Sequence, residues 1–150
     1  PTEESYRSCC EPHLVECFDG TLLAFLRYEP HREGIPLAML CSESRDDGKT
    51  WSPVRETGIA GYPPHLTKLS GKRLLLTYSY RLPPYGQYAR ISGDNGKSWI
   101  EAIRLSHAPN ADHGYPSSVE LTDGSIMTAY YEIDLPGEKP SLKLTHWKII

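Results

Sequence analysis

Three chemically distinctive residues stand at one phase of a long repeat: Glu11, Tyr62 and Tyr115. Each is followed by a proline (Pro12, Pro63, Pro116) and lies nine positions before a turn glycine, Gly20, Gly71 or Gly124. A carboxylate can accept a proton, and a phenol can give one up and attack an electrophilic carbon. Arg27 and Arg81 add planar guanidinium groups, which stay charged and bind carboxylates with two parallel hydrogen bonds. A plainer reading stands beside each. A polar residue before proline at a strand start is ordinary turn chemistry, and for Tyr62, followed by Pro63 and Pro64, that reading has equal weight. Arg27 and Arg81 also read as surface charges, and Tyr115 as a packed strand residue.

The elements that must position these residues come from two repeats running in phase. Ser44-Arg-Asp46-Asp-Gly48-Lys-Thr50-Trp51 recurs 48 positions later as Ser92-Gly-Asp94-Asn-Gly96-Lys-Ser98-Trp99. Repeats of that period point to a propeller or an array. The glycines suit a tight turn with positive φ, the Asp and Ser/Thr side chains can accept from turn amides, and the Trp can clamp the turn. The second repeat is a hairpin pattern: His13–Phe18 with Thr21–Arg27, His65–Leu69 with Lys72–Tyr80, and Ser117–Leu121 with Ser125–Tyr131. Third strands are expected at Pro36–Ser42, Gln87–Ser92 and Ser141–Ile149. No helical apolar period competes, and 13 prolines with 12 glycines suit a loop-rich all-β chain. The expectation is one domain of three blades, approximately 10–58, 59–108 and 109–150, the last ending after three strands.

Composition narrows the function classes. With 150 residues and 39% hydrophobic content the chain can bury a sizeable core. A net charge of −3 and the absence of a basic stripe argue against nucleic acid. Apolar runs such as Leu74-Leu75-Leu76 are too short to span a membrane. Gly48-Lys49-Thr50 and Gly96-Lys97-Ser98 end like a phosphate-binding loop, but the glycine required upstream is Glu43 or Ile91, which rejects nucleotide binding. Cys9, Cys10, Cys17 and Cys41 match no zinc-ligand spacing and read as free thiols ahead of disulfides.

The S-x-D-x-G-x-[ST]-W pattern resembles the Asp-box of sialidases and other BNR-repeat β-propellers. The resemblance implies an all-β fold, about half of a six-bladed propeller. Ser44, Asp46, Gly48, Trp51, Ser92, Asp94, Gly96 and Trp99 then form peripheral scaffold turns. It also implies that Glu11, Tyr62 and Tyr115 lie near the central channel on the ligand face. Glu11-Pro12 through Gly20 to Arg27 resembles the sialidase segment in which the glutamate pairs with a catalytic tyrosine and the arginine grips the substrate carboxylate. Tyr115-Pro-Ser-Ser-Val-Glu-Leu-Thr-Asp-Gly124 resembles the segment that carries that tyrosine. Arg81 is the better match to a second carboxylate-binding arginine, with Arg90 its competitor. Glu132 resembles the glutamate that steadies these arginines, and Tyr62 has a supporting place. His113, beside Asp112, reads as a loop histidine more readily than as a substrate contact.

These residue types suit sialic acid, whose carboxylate sits on the anomeric carbon and would repel a carboxylate nucleophile. A tyrosine activated by a glutamate avoids that repulsion. The resemblance thus implies a retaining exo-glycosidase acting on terminal acidic sugars, with no metal or organic cofactor. The expected partners are a sialoside-like glycan and either the remaining propeller half or a second copy, whose residues 1–9 could fill the outer place in the third blade. A secreted or periplasmic setting fits the resemblance, although no leader segment is visible. The rival is a non-catalytic carbohydrate-binding or assembly propeller. A third arginine and an aspartate acid/base, both needed for a full sialidase site, are not found here. The chain by itself should therefore hydrolyse an activated aryl sialoside little or not at all, and robust turnover by the purified chain would overturn the half-site reading.

Overall fold

The computed structural model describes residues 9–29, 38–135 and 137–149, and within them every regular element is a strand. The first antiparallel sheet runs β1 (Cys9–Glu16), β2 (Leu22–Tyr28), β3 (Leu40–Ser44), β4 (Arg55–Glu56). The second runs β5 (Pro64–Leu69), β6 (Arg73–Tyr80), β7 (Gly86–Ser92), β8 (Ile103–Arg104). The third has β9 (His113–Glu120), β10 (Ile126–Glu132) and β11 (Ser141–Trp147), with β10 in the middle. These are three blades of a propeller, each laid down in chain order with short hairpins. β3 starts at Leu40, four residues later than the hairpin period suggests. Pro36, the expected start, lies outside the described residues, as does all of the candidate filling segment, residues 1–9, except Cys9, which opens β1 against Tyr28. β1 and β9 start earlier than expected, which puts Glu11 and Tyr115 inside strands rather than at their edges. Cys10, Cys17 and Cys41 are free thiols, Cys17 and Cys41 being buried.

Both eight-residue repeats form the turn between the third and fourth strands of a blade. Asp46 accepts from the Thr50 amide at 2.8 Å and its hydroxyl at 2.6 Å. Asp94 accepts from the Ser98 amide at 2.9 Å and its hydroxyl. Ser44 and Ser92 each accept from the glycine amide four residues on, at 2.9 and 2.8 Å. These bonds satisfy backbone donors that strand pairing leaves free. Those from Ser98, followed by Ser92, hold the Asp94 carboxyl down at about 2. The two turns differ in what they touch. The first lies open to solvent, with Trp51 donating to its own Gly48 carbonyl. The second docks on the first blade: Trp99 meets Phe25 edge-on, and Asn95 accepts from the Phe18 amide at 3.1 Å.

The core forms between blades. Leu23, Phe25, Met39 and Cys41 of the first blade pack against Leu66, Leu74, Leu76 and Tyr78 of the second. Leu69, Leu75, Ala89 and Ile91 of the second pack against Ile126 of the third. The second blade is thus covered on both faces. Exposed apolar side chains gather on the flanking blades, with Leu14 on the first and Val119, Leu142 and Leu144 on the third. No helix among the described residues is long and apolar enough to cross a membrane.

Two turn glycines test this packing. Gly48 and Gly96 share φ +82°, so an added methyl strains both backbones alike. At Gly48 it would meet only Leu22 at 3.6 Å, whereas at Gly96 it would overlap Leu23, which is fully buried. Gly96→Ala is expected to destabilise by about 1–3 kcal/mol more than Gly48→Ala, read from paired urea unfolding curves. Equal losses would show that the second turn does not depend on the first blade.

Candidate active site

Two β-bulges of the same build aim the site. In the pairing of β1 with β2 the register slips between Cys10 and His13, so Glu11-Pro12 opposes a single residue. In the pairing of β9 with β10 it slips over Tyr115-Pro116. Proline has no amide to contribute to a ladder, so a bulge is where a strand can hold it. Glu11 and Tyr115 both take positive φ, 47° and 55°, which a residue with a Cβ adopts only under constraint. In the second blade Tyr62 precedes β5 altogether, and no slip is present between β5 and β6. The three equivalent positions are therefore two bulged strands and one leading loop.

The bulges bring first and third blades together. Tyr115 donates its phenolic proton to Glu11 Oε1 at 2.5 Å. Arg27 Nη1 holds Glu11 Oε2 at 2.8 Å, and its Nη2 holds Glu29 at 2.9 Å. The Arg27 guanidinium lies 4.1 Å over the Tyr62 ring, and that of Arg81 lies 5.5 Å from the same ring. Arg81 Nε donates to the His113 carbonyl at 3.0 Å. Tyr131 stacks on Tyr115 at 6.1 Å and donates to Asp112 at 2.9 Å. Tyr115 itself is 52% exposed, so its ring lies at the surface beside a charged cluster rather than in the core.

The electrostatics follow from these contacts. Burial alone would raise the Glu11 carboxyl, but hydrogen bonds from Arg27 and Tyr115, with the charges of Arg27 and Arg81, outweigh it and hold it below its ordinary value. The Tyr115 phenol is pushed up, first by its bond to Glu11 and then by burial. In the resting state the proton therefore sits on Tyr115 and the charge on Glu11. Burial would lower Arg27, and its bonds to Glu11 and Glu29 more than restore it. Burial raises the Tyr62 phenol, with Glu29 adding to it.

Glu11, Arg27, Tyr62, Arg81 and Tyr115 thus converge, and Glu132 does not. Its carboxylate is buried and accepts from Ser106 at 2.7 Å, with no ion pair to Arg27 or Arg81 among the described residues. The period-2 alternation of β10 accounts for this, because Glu132 shares the inward face with Ile126, Thr128 and Tyr130. Glu29 pairs with Arg27 instead, and its signal is local: it follows Arg27 by two residues, on the same side of an extended chain. Arg90 is excluded as the second arginine, since it bonds the Tyr78 hydroxyl and the Ile100 carbonyl. His113 is a strand residue, not a loop histidine. It is wholly buried beside Gln87 at 2.9 Å and pushed down to about 4, mainly by burial. Gly114 is a further residue that pattern reading passed over: a Cβ there would come within 2.7 Å of Arg81 Nη2.

The fold defined by these three blades is that of β-propeller glycosidases, and the chain covers about half of such a propeller. Residues 2–128 match the BNR repeat-like domain, and the chain belongs to that family. Among solved structures it is similar to a protein of unknown function from Dyadobacter fermentans, 28% identical, with a TM-score of 0.85 over 100% of this chain and 40% of that one. An α-L-arabinofuranosidase from Fusarium graminearum, solved with an iminosugar inhibitor, is 17% identical, with a TM-score of 0.77 over 99% and 47%. A Hadza microbial sialidase is 16% identical, with a TM-score of 0.59 over 97% and 36%. The chain spans less than half the length of each. At such identities the two glycosidases speak for the fold alone. Among curated proteins, none matches significantly.

The Tyr115–Glu11 bond has a direct spectroscopic consequence. Tyr115 should ionise above the ordinary phenol value of about 10 and fall back toward it in Glu11→Gln. A carbon-13 titration of the tyrosine ring carbons measures both. An unchanged Tyr115 in the variant would mean that the bond does not form in solution.

Proposed function

We propose that the site is the tyrosine–glutamate half of a retaining exo-glycosidase that cleaves a terminal acidic sugar of the sialic acid class. The observation that carries this reading is the Tyr115–Glu11 hydrogen bond of 2.5 Å, made between the first and third blades. In the proposed step Tyr115 Oη bonds the anomeric carbon as the bond to the leaving oxygen breaks, and its proton passes to Glu11 Oε1. Water then displaces the phenolate, which recovers its proton from Glu11. The leaving oxygen is protonated, and the water deprotonated, by an acid–base group that the cluster does not itself supply.

Arg27 and Arg81 provide the cationic floor for a substrate carboxylate. Arg27 also links binding to activation. While it holds Glu11 it keeps that carboxylate a weak base. When it turns toward a substrate carboxylate, Glu11 loses a hydrogen bond that lowers it and becomes the better proton acceptor for Tyr115. The exposed apolar rows at Leu14 and at Leu142 with Leu144 support a ring completed by further blades, from the same polypeptide or a second copy.

One observation favours a second reading. Arg27 is occupied at Nη1 and Nη2 by two carboxylates, which leaves Arg81 as the less committed cation. A site so neutralised also suits an uncharged sugar, with Glu11 bonding the anomeric carbon as the bond to the leaving oxygen breaks, that oxygen being protonated by the same outside acid, and Tyr115 steadying the Glu11 carboxylate. The α-L-arabinofuranosidase among the fold neighbours acts, by its name, on a sugar of that kind. The non-catalytic binding module remains the third reading.

Fluorinated glycosyl fluorides separate the three. Fluoride leaves without a general acid, so the experiment suits this chain as it stands. A 2,3-difluorosialyl reagent is expected to label Tyr115, located by peptide mass spectrometry, and Glu11→Gln should slow labelling by about 10²-fold or more. Labelling of Glu11 by a 2-fluoroarabinosyl reagent instead would replace the acidic-sugar reading with the neutral one. Saturable glycan binding without any label would leave only the binding module.

A further inference from the structure

Just along the inner strands from Glu11 and Tyr115, two imidazoles join the three blades in series. His13 Nδ1 on β1 accepts from the Leu66 amide on β5 at 3.1 Å. His65 Nδ1 on β5 lies 3.4 Å from the Ser118 amide on β9, and its Nε2 lies 3.3 Å from the Ser117 hydroxyl. Thr67 Oγ1 also reaches His65 Nδ1 at 3.2 Å. The two rings are 4.3 Å apart between centroids. Each step from one inner strand to the next therefore includes a backbone amide given to an imidazole nitrogen. That contact needs a free lone pair on Nδ1, and hence a neutral ring with its proton on Nε2.

We infer that His13 and His65 are positioning residues that hold the inner strands at the spacing at which Glu11 and Tyr115 meet, and that protonating them loosens this spacing. His13 follows Glu11 by two residues, and Ser117 follows Tyr115 by two, so the contacts lie directly beside the two bulges. The Glu11–Tyr115 bond skips a blade and has no strand pairing of its own. Its length is set by how the first and third inner strands are each placed against β5.

Acid acts on this arrangement in two ways. A protonated Nδ1 can no longer accept from Leu66 or Ser118, and two imidazolium rings at 4.3 Å repel one another. The charged groups on the surrounding strands are Glu11 and Glu16 on β1, Arg27 on β2, Lys68 on β5, Arg73 on β6 and Glu120 on β9. None forms a hydrogen bond or ion pair with either ring among the described residues, and Tyr78 and Tyr115 do not either. Neither ring therefore has a carboxylate partner to take up the added charge. Burial lowers both histidines, His65 to about 4 with the charge of His13 contributing. The folded state prefers the neutral rings, so their contribution is complete above the ordinary value of about 6.5 and is lost as pH falls toward about 4.

The inference concerns spacing and does not depend on which sugar, if any, the site cleaves, so its test uses no turnover. Nuclear magnetic resonance of the whole chain from pH 7.5 down to about pH 3, below the value of about 4 for His65, follows the imidazole nitrogens and the Leu66 and Ser118 amides. Both rings should carry their proton on Nε2, and the two amides should shift with the imidazole midpoints, below about 6.5. Exchange at these amides, corrected for its intrinsic pH dependence, should rise by about tenfold or more across the range. Rings that titrate at the ordinary value, or amides that do not move with them, would overturn the inference. Glu11 titrates in a neighbouring range, so His13→Gln and His65→Gln supply the control: glutamine can accept the same amide but does not titrate. In these variants the acid response of the Tyr115 ring carbons should shrink to that of Glu11 alone. An unchanged response would show that the histidines do not set the Glu11–Tyr115 spacing.

Discussion

The arrangement of the three blades rests on β6, a strand buried along both of its faces. Leu74, Leu76 and Tyr78 turn toward the first blade, while Leu75 turns toward the third. Burial of this kind is worth on the order of 25 cal/mol per Å² of apolar surface and has no direction of its own. Direction comes from the polar residues that replace leucine as β6 approaches Arg81. Thr77 meets Ser118 at 3.1 Å, Ser118 meets Thr128 at 2.9 Å, and Ser79 donates to Gln87 at 2.7 Å. Gln87 continues to His113, whose carbonyl holds Arg81. These groups are buried and would each cost about 1–3 kcal/mol without a partner. The angle between second and third blades is consequently narrow in tolerance near the site and more forgiving away from it.

The site is built from strain held in place by charge. Glu11 and Tyr115 sit in backbone conformations that cost on the order of 1–3 kcal/mol each. Both point from bulges that strand pairing alone would not favour. What holds them is the chain Tyr115–Glu11–Arg27–Glu29, with the Tyr62 ring beneath both arginines. The same bonds that organise the cluster also silence it, because a carboxylate shared by an arginine and a phenol is a poor base. If the sugar is acidic, as proposed, its carboxylate would compete for Arg27 and relieve that restraint.

Pattern alone reached a good deal of this architecture. The eight-residue repeat and the three hairpin glycines define three blades because turns and alternation are local, encoded within a few residues of one another. The phase of Glu11 and Tyr115 was legible for the same reason: both precede proline at a fixed distance from a turn. The differences in the inner strands are ones of extent. β1 and β9 start earlier than the pattern suggests, because a proline inside a strand argues against that strand unless a bulge receives it. Glu132 was matched by sequence context, yet the alternation along β10 turns it inward to Ser106.

Other features were settled only by packing. Sequence position favoured Arg81, just after β6, over Arg90, inside β7, but could not bring either to the cluster. That choice follows from which end of β6 meets β9, and from the absence of a Cβ at Gly114. Nor does the sequence place Glu11 against Tyr115, 104 residues apart along the chain. Their meeting requires three sheets to stack at particular angles, and those angles come from contacts between blades. Sequence by itself determined the strands, the turns and the phase of the site residues, because each is fixed by bonds among neighbours in the chain. Tertiary structure decided which charges face one another and how closely, because Coulombic and hydrogen-bond partners are chosen by position in space, and only the packed blades supply that.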